Sequence, residues 1–193
     1  MGFGNLRVIN EDFVAPATGF KLHPHRNMEI ITYIIDGELT HGDNICNKAV
    51  IKTGEVQIMS AGNGIIHSEW NYNQKECHLL QIWIQPNETG GEPSYKIYKP
   101  EHFEMWGKVA SFNGTNAPKI KQNAEIYVIN SGALKAIDLP NVQLNKAWLQ
   151  VATGKIEIDA TPLQSGDAIA FNNGTPTTMK FEKESKSLSL STN

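Results

Sequence analysis

At 193 residues the chain has the length for one large domain or two small ones, with a genuine hydrophobic core. It is 40% hydrophobic and 19% charged with a net charge of −3, and its Lys and Arg are scattered singles, which excludes direct phosphate-driven nucleic-acid binding. The only two cysteines, Cys46 and Cys77, form no C-x-x-C spacing, which excludes a disulfide framework or zinc knuckle and predicts free or buried thiols in a reducing compartment. No apolar stretch approaches the ~20 residues of a membrane span. The segment Met1–Leu6 reads as neither a signal peptide nor a myristoylation site, because Leu6 stands where Ser or Thr is required. The expectation is a cytoplasmic protein with no membrane contact.

Strand signals dominate from the start. Two short motifs, His23-Pro24-His25 and His67-Ser68-Glu69, read as strand segments, and Glu29–Ile35 between them is rich in β-branched and aromatic residues. Asp36-Gly37 reads as a hairpin turn with Glu38–His41 as its return strand. Val56–Met59, Leu79–Ile84, Glu125–Ile129, Trp148–Val151, Lys155–Ile158 and Ala168–Phe171 are further strands. Turn residues separate them closely, which is the pattern of an all-β sandwich or barrel. Pro100–Met105 could form one helical turn, and the Ser-rich Glu184–Asn193 is expected to fray.

Residues two apart on a strand point to one face. His23 and His25 therefore share a face, as do His67 and Glu69. If both strands line one pocket, three imidazoles and one carboxylate converge, a ligand set for a first-row divalent metal with positions left open. An isolated H-x-H pair is weak evidence, since histidines are commonly just satisfied polar residues. Here half of the six histidines fall in two motifs, each with a second potential ligand at strand spacing. The turn Ala61-Gly62-Asn63-Gly64 supplies backbone freedom to aim His67. His41, His78 and His102 lie outside the motifs. His78 alternates with Leu80 and Ile82 and is expected in the core or at the surface, and Met59 and Trp83 could line the cavity.

A divergent repeat runs through the chain. Tyr33–Thr40 resembles Gln150–Glu157 around Gly37 and Gly154, and Thr53-Gly54-Glu55 resembles Ser165-Gly166-Asp167. Two similar barrels joined near Pro86–Pro100 fit this pattern, divided as residues 1–92 and 93–193. Counted from the glycines, the H-x-H positions correspond to Pro140 and Val142, and His67 and Glu69 to Met179 and Phe181. Residues 103–193 contain no histidine, so only the first half can hold a His-based site.

Met1–Asp12, Gly19–Gly37, Gly54–Glu69 and Leu80–Pro86 resemble the pirin family of the cupin superfamily, a match covering nearly all of residues 1–98. Lys146–Gly154 and Gly166–Phe171 match more weakly, and the length is similar to the bacterial pirin-like proteins, some of which are quercetin 2,3-dioxygenases. The resemblance implies a bicupin fold with one metal, iron first and manganese, cobalt, nickel, copper or zinc as alternatives, in the N-terminal barrel. Its ligands fall on His23, His25, His67 and Glu69. Family members carry some tens of residues, including a strand, before the equivalent of Met1, so the barrel edge is expected to be less covered here. In cupins generally a Glu shortly after H-x-H is a ligand. Glu29 holds that place, and it is expected either to support the ligands from behind or to pair with Arg26 or solvent.

Two functions share this ligand set. One is cleavage of a flavonol such as quercetin with dioxygen, in which Glu69 takes the substrate proton as the catalytic residue. The other is a non-enzymatic, metal-containing regulator that acts through a protein partner, and the motifs do not separate the two.

Overall fold

The computed structural model describes residues 2–100, 105–131, 136–140, 146–172, 178–182 and 185–192. Among them there is no α-helix, and the chain folds into two compact units, each built from two antiparallel sheets. The helical turn expected at Pro100–Met105 and the side chain of His102 lie outside the described residues, as does Val142.

The first unit comprises Met1–Lys99 and Ile120–Gln122. Its strands are β1 (Leu6–Val14), β2 (Thr18–His25), β3 (Glu29–Asp36), β4 (Glu38–Asp43), β5 (Lys48–Lys52), β6 (Val56–Ser60), β7 (Ile65–Asn71), β8 (Cys77–Ile84) and β9 (Ser94–Tyr98). They form a five-stranded sheet, β1-β8-β3-β6-β9, and a four-stranded sheet, β2-β7-β4-β5. The division falls after Lys99, past the 92/93 boundary read from the sequence, because β9 pairs with β6 inside the stretch read as a linker. The Asp36-Gly37 hairpin is also corrected. β3 and β4 lie in different sheets, so this turn, with Gly37 at φ 82°, carries the chain from one sheet to the other.

The core of this unit is interrupted. One apolar cluster holds Val14, Ile34, Leu39, Ile51, Cys77 and Leu79; another holds Ile30, Met59, Ala61 and Ile65. In the five-stranded sheet a polar row, Gln81–Thr32–Gln57, crosses three adjacent strands and is buried. Buried amides and hydroxyls need partners, and theirs include a carboxylate from the four-stranded sheet.

The second unit comprises Pro100–Lys119 and Asn123–Asn193. Its strands are β10 (Gly107–Ser111), β11 (Ala124–Ser131), β12 (Ala136–Asp138), β13 (Lys146–Thr153), β14 (Lys155–Ile158), β15 (Thr161–Gln164), β16 (Ala168–Asn172), β17 (Thr178–Phe181) and β18 (Ser185–Thr192). They repeat the scheme as β10-β11-β18-β13-β16 and β12-β17-β14-β15. Ile129, Leu149, Val151, Ile156, Ile158, Met179 and Phe181 form an apolar core. The C-terminal segment read as fraying is instead β18, the middle strand of the five-stranded sheet, paired with both β11 and β13. Its serines are small enough to be buried beside Leu188 and Leu190, so a polar composition conceals a central strand.

Candidate metal centre

The site is built on β2, β7 and β4, adjacent strands of one sheet. Directly opposite residues of an antiparallel pair share a face. His23 stands opposite His67, and on the other side of β7 Asp43 stands opposite His67 and His41 opposite Glu69. Between Phe20 and His23 the register slips by one residue, a β-bulge that places His23 rather than Leu22 across from His67. Without that slip both imidazoles of the H-x-H motif would turn to the other face. On the approach to β7, Gly62 (φ 50°) and Gly64 (φ 147°) take conformations that favour glycine, and a side chain at Gly62 would collide with the Gly91 carbonyl.

Three imidazoles converge. The ring centroids of His23 and His67 are 4.3 Å apart, those of His23 and His25 4.8 Å, and those of His25 and His67 5.0 Å. Each of the three offers a ligand atom within 4.8 Å of the others. His23 Nδ1 lies 2.7 Å from the Lys21 carbonyl oxygen, which can only accept, so Nδ1 carries the hydrogen and Nε2 keeps its lone pair. Both ring nitrogens of His67 are buried without a hydrogen-bond partner. Leaving a buried polar atom unpaired costs about 1–3 kcal/mol, and a metal ion coordinated there would meet that need. The residues present therefore fit a metal-binding site.

The electrostatics point the same way. Burial, reinforced by the neighbouring His23, His25 and His41 and opposed by Asp43, pushes His67 down to about 3. Burial and His23 push His25 down to about 4. Both rings are therefore neutral at physiological pH, the state a metal ligand requires.

Glu69 is buried, and burial raises its pKa against the hydrogen bonds of Gln57 and Gln81 and the charges of His41 and His23. Gln57 Nε2 donates to one carboxylate oxygen at 2.7 Å and Gln81 Nε2 to the other at 2.9 Å. Trp83 Nε1 donates to Gln81 Oε1 at 3.0 Å, which orients that amide. Each Glu69 oxygen keeps a further lone pair, so the carboxylate can serve the amides and an ion together. Its ligand atom groups with those of His41 and His67 and is not in the three-histidine group.

His41 is the main residue that motif reading passed over. It is fully buried, its ring stacks on Tyr95 with centroids 4.2 Å apart, and it lies 5.3 Å from the His67 ring. The signal was present, since His41 and Asp43 have the same two-residue strand spacing as the other two motifs. Gln57 and Gln81 were readable as single amides inside apolar strand runs. Glu29 belongs to neither ligand group. Its carboxylate accepts the Ser60 hydroxyl at 2.6 Å and the Lys121 backbone N–H at 3.2 Å. His78 pairs with Glu11 at 2.8 Å and stacks on Phe13, away from the cluster. Met59 is core, while Trp83 meets His25 edge-on at 4.9 Å. A groove of about 660 Å³ lined in part by Leu22, Ile66, Trp70 and Tyr72 lies on the other face of the β2-β7-β4-β5 sheet from the imidazoles.

Residues 1–84 match the Pirin family model, and residues 108–190 match that of the quercetinase C-terminal cupin domain. A quercetin 2,3-dioxygenase of Escherichia coli K12 is 38% identical over 176 residues, covering 89% of this chain and 75% of its own. The crystal structure of YhhW from Escherichia coli superposes with a TM-score of 0.93 at 33% identity, covering 100% of this chain and 83% of that one. That of the bacterial pirin YhhW in complex with nickel(II) gives 0.91 at 34% identity, with 100% and 84% covered. A bicupin architecture, a histidine and carboxylate cluster fit for a metal, and these relatives place the chain in the pirin family.

Proposed function

We propose that the first unit holds one divalent transition metal through His23, His25, His67 and Glu69 and uses it to cleave a flavonol such as quercetin with dioxygen, releasing carbon monoxide. The observation that carries this reading is the convergence of three imidazoles with both nitrogens of His67 unpaired. A bound ion with open positions would supply a seat for the adjacent enol and keto oxygens of a flavonol and a route for electrons to dioxygen. Iron is the first assignment, and the nickel(II) complex of a relative makes nickel the first comparison.

The chain's own residues prepare the substrate. Glu69 is the proton acceptor: a buried carboxylate held on both oxygens by amide donors is oriented, and its raised pKa favours taking and keeping the flavonol hydroxyl proton. Trp83, edge-on to His25, offers an aromatic wall beside the imidazoles. β2 is an edge strand of its sheet, and among the described residues no further strand closes the H-x-H side.

The test is oxygen uptake and carbon monoxide release with quercetin after the chelated protein is reconstituted with iron, manganese, cobalt, nickel, copper or zinc in turn. Turnover above the free-metal rate with at least one ion, lost in His67→Ala, supports the reading. Metal bound without turnover for any ion overturns it and leaves a non-enzymatic role for the same centre.

A further inference from the structure

We infer that His41, held by Asp43, forms with His67 and Glu69 an inner seat for a divalent transition ion, adjoining the three-histidine seat and sharing His67 with it. This rests on the metal-centre reading above and goes beyond its ligand set.

The argument starts at Asp43. Its Oδ1 accepts the backbone N–H groups of Ile45 at 3.0 Å and Asn47 at 2.9 Å. Its Oδ2 accepts the Asn47 side-chain amide at 2.8 Å and faces His41 Nε2 at 2.9 Å. A carboxylate held by so many donors is an oriented acceptor, so His41 Nε2 carries the hydrogen and Nδ1 is left with the lone pair. Nδ1 is buried and has no hydrogen-bond partner. A histidine that donates one ring N–H to a carboxylate and presents the other nitrogen bare has the arrangement of a metal ligand. The bare side has company, because His41, His67 and Glu69 each offer a ligand atom within 4.8 Å of the others, all three buried. Stacking on Tyr95 holds the ring.

The barrel does not need this pair for its own sake. In the second unit Met179 stands opposite Ile158 and Phe181 opposite Ile156, where the first unit has His67 opposite Asp43 and Glu69 opposite His41. The same sheet position packs there with isoleucines, so a buried His–Asp pair is not a scaffold requirement. Both seats draw on His67, and a neutral imidazole has one ring nitrogen with a free lone pair, so they are alternatives for a single ion. Glu69, which the proposed function sets beside the three histidines, groups in the inner seat with His41 and His67.

Cobalt(II) binding to the full chain tests this, read by equilibrium ultrafiltration with elemental analysis and by the visible bands of the bound ion. His23→Ala/His25→Ala destroys the outer seat. The inference expects this variant to retain one equivalent of cobalt(II), more weakly than the parent. Adding Asp43→Asn, which keeps an oxygen for the backbone N–H groups, lowers that residual affinity by about 10- to 100-fold. Adding His41→Phe, which keeps an aromatic ring on Tyr95, lowers it further. Circular dichroism checks folding, and should the His41 variant unfold, the Asp43 variant carries the decision. A His23/His25 variant that binds no cobalt(II), or binds it equally with His41 or Asp43 replaced, overturns the inner seat. A parent chain that binds no metal overturns both the seat and the proposed function, whereas cobalt(II) retained as expected without quercetin turnover for any ion overturns the proposed function alone.

Discussion

The two units share one sheet scheme and differ in what fills it. In the first, β7 carries His67 and Glu69 at alternate inward positions, flanked by His23, His41 and Asp43. In the second, β17 carries Met179 and Phe181 in the same place in the sheet order, flanked by Ile137, Ile156 and Ile158. Every titratable side chain of the row has an apolar counterpart. The second unit therefore shows these sheet positions filled by apolar packing, and the first shows the polar row that the same scaffold tolerates in their place. The unpaired imidazole nitrogens of His41 and His67 and the buried Glu69 carboxylate are stability costs that the apolar side chains at the matching positions of the second unit do not carry.

The largest expected effect is a reciprocal pair of truncations. His67→Ala should abolish tight metal binding, since it removes the imidazole common to both ligand groups. It should barely lower the melting temperature of the metal-free protein, because the lost ring makes no hydrogen bond there. Met179→Ala should do the reverse, costing about 2–5 kcal/mol of stability for a truncated core side chain while the chain still binds close to one equivalent of metal. Elemental analysis and thermal melts of the two variants decide it. Metal loss in the Met179 variant, or two tight equivalents in the parent, would break the comparison.

Glu69→Gln should come next. The carboxylate accepts from amides on both oxygens, whereas a carboxamide presents its own NH₂ to one of them. A donor then faces a donor in a buried place, at a cost of about 1–3 kcal/mol. Metal affinity falls as well, so the variant should melt lower both with and without metal. A metal-free melt equal to the parent's would show that the amides do not hold this carboxylate in solution.

The pH dependence of the metal-free protein should follow. His67 and His25 are pushed down to about 3 and about 4 in the folded chain, from an ordinary value of 6.5. Below pH 6.5 the unfolded chain takes up protons that the folded one refuses, so stability is lost as pH falls from 6.5 towards 4 and then 3. Glu69 works in the opposite sense, since a raised carboxylate favours the folded state as pH falls. The clean readout is therefore a difference. The melting temperature of His67→Ala should decline less steeply between pH 6.5 and 4 than the parent's, and parallel curves would refute the assignment.

Much of this was legible from spacing. Period-two pairing in His23-Pro24-His25 and His67-Ser68-Glu69 is a local property of strands, and the glycine turns announce themselves chemically. What escaped depended on pairing between distant segments. Asp36-Gly37 has hairpin chemistry, yet β3 and β4 pair with other strands. Ser185–Thr192 looks polar, yet it is buried by its neighbours on both sides. The repeat alignment placed Pro140 opposite the H-x-H motif, but β12 ends at Asp138 and it is Ile137 that faces Met179 as His23 faces His67. His41 was passed over although His41-Gly42-Asp43 repeats the histidine–carboxylate spacing of His67-Ser68-Glu69; what marks it is its burial against Tyr95 and beside His67, which comes from pairing between distant segments.

The smallest effect tests whether site membership is a matter of geometry or merely of being a histidine on a strand of this unit. His78 sits on β8, pairs with Glu11 at 2.8 Å, and stacks on Phe13 with ring centroids 4.1 Å apart. Its side chain is 13% exposed and that of Glu11 24%, so the pair is near the surface. Such pairs contribute about 0–1 kcal/mol, and the stacked ring adds a comparable packing contribution. His78→Ala should therefore lower the melting temperature slightly. It should leave metal stoichiometry and affinity at the parent's values, because His78 belongs to neither ligand group. Measured beside His67→Ala, it separates the two kinds of histidine: equal metal loss in both variants would mean that the cluster on β2, β7 and β4 is not where the metal binds.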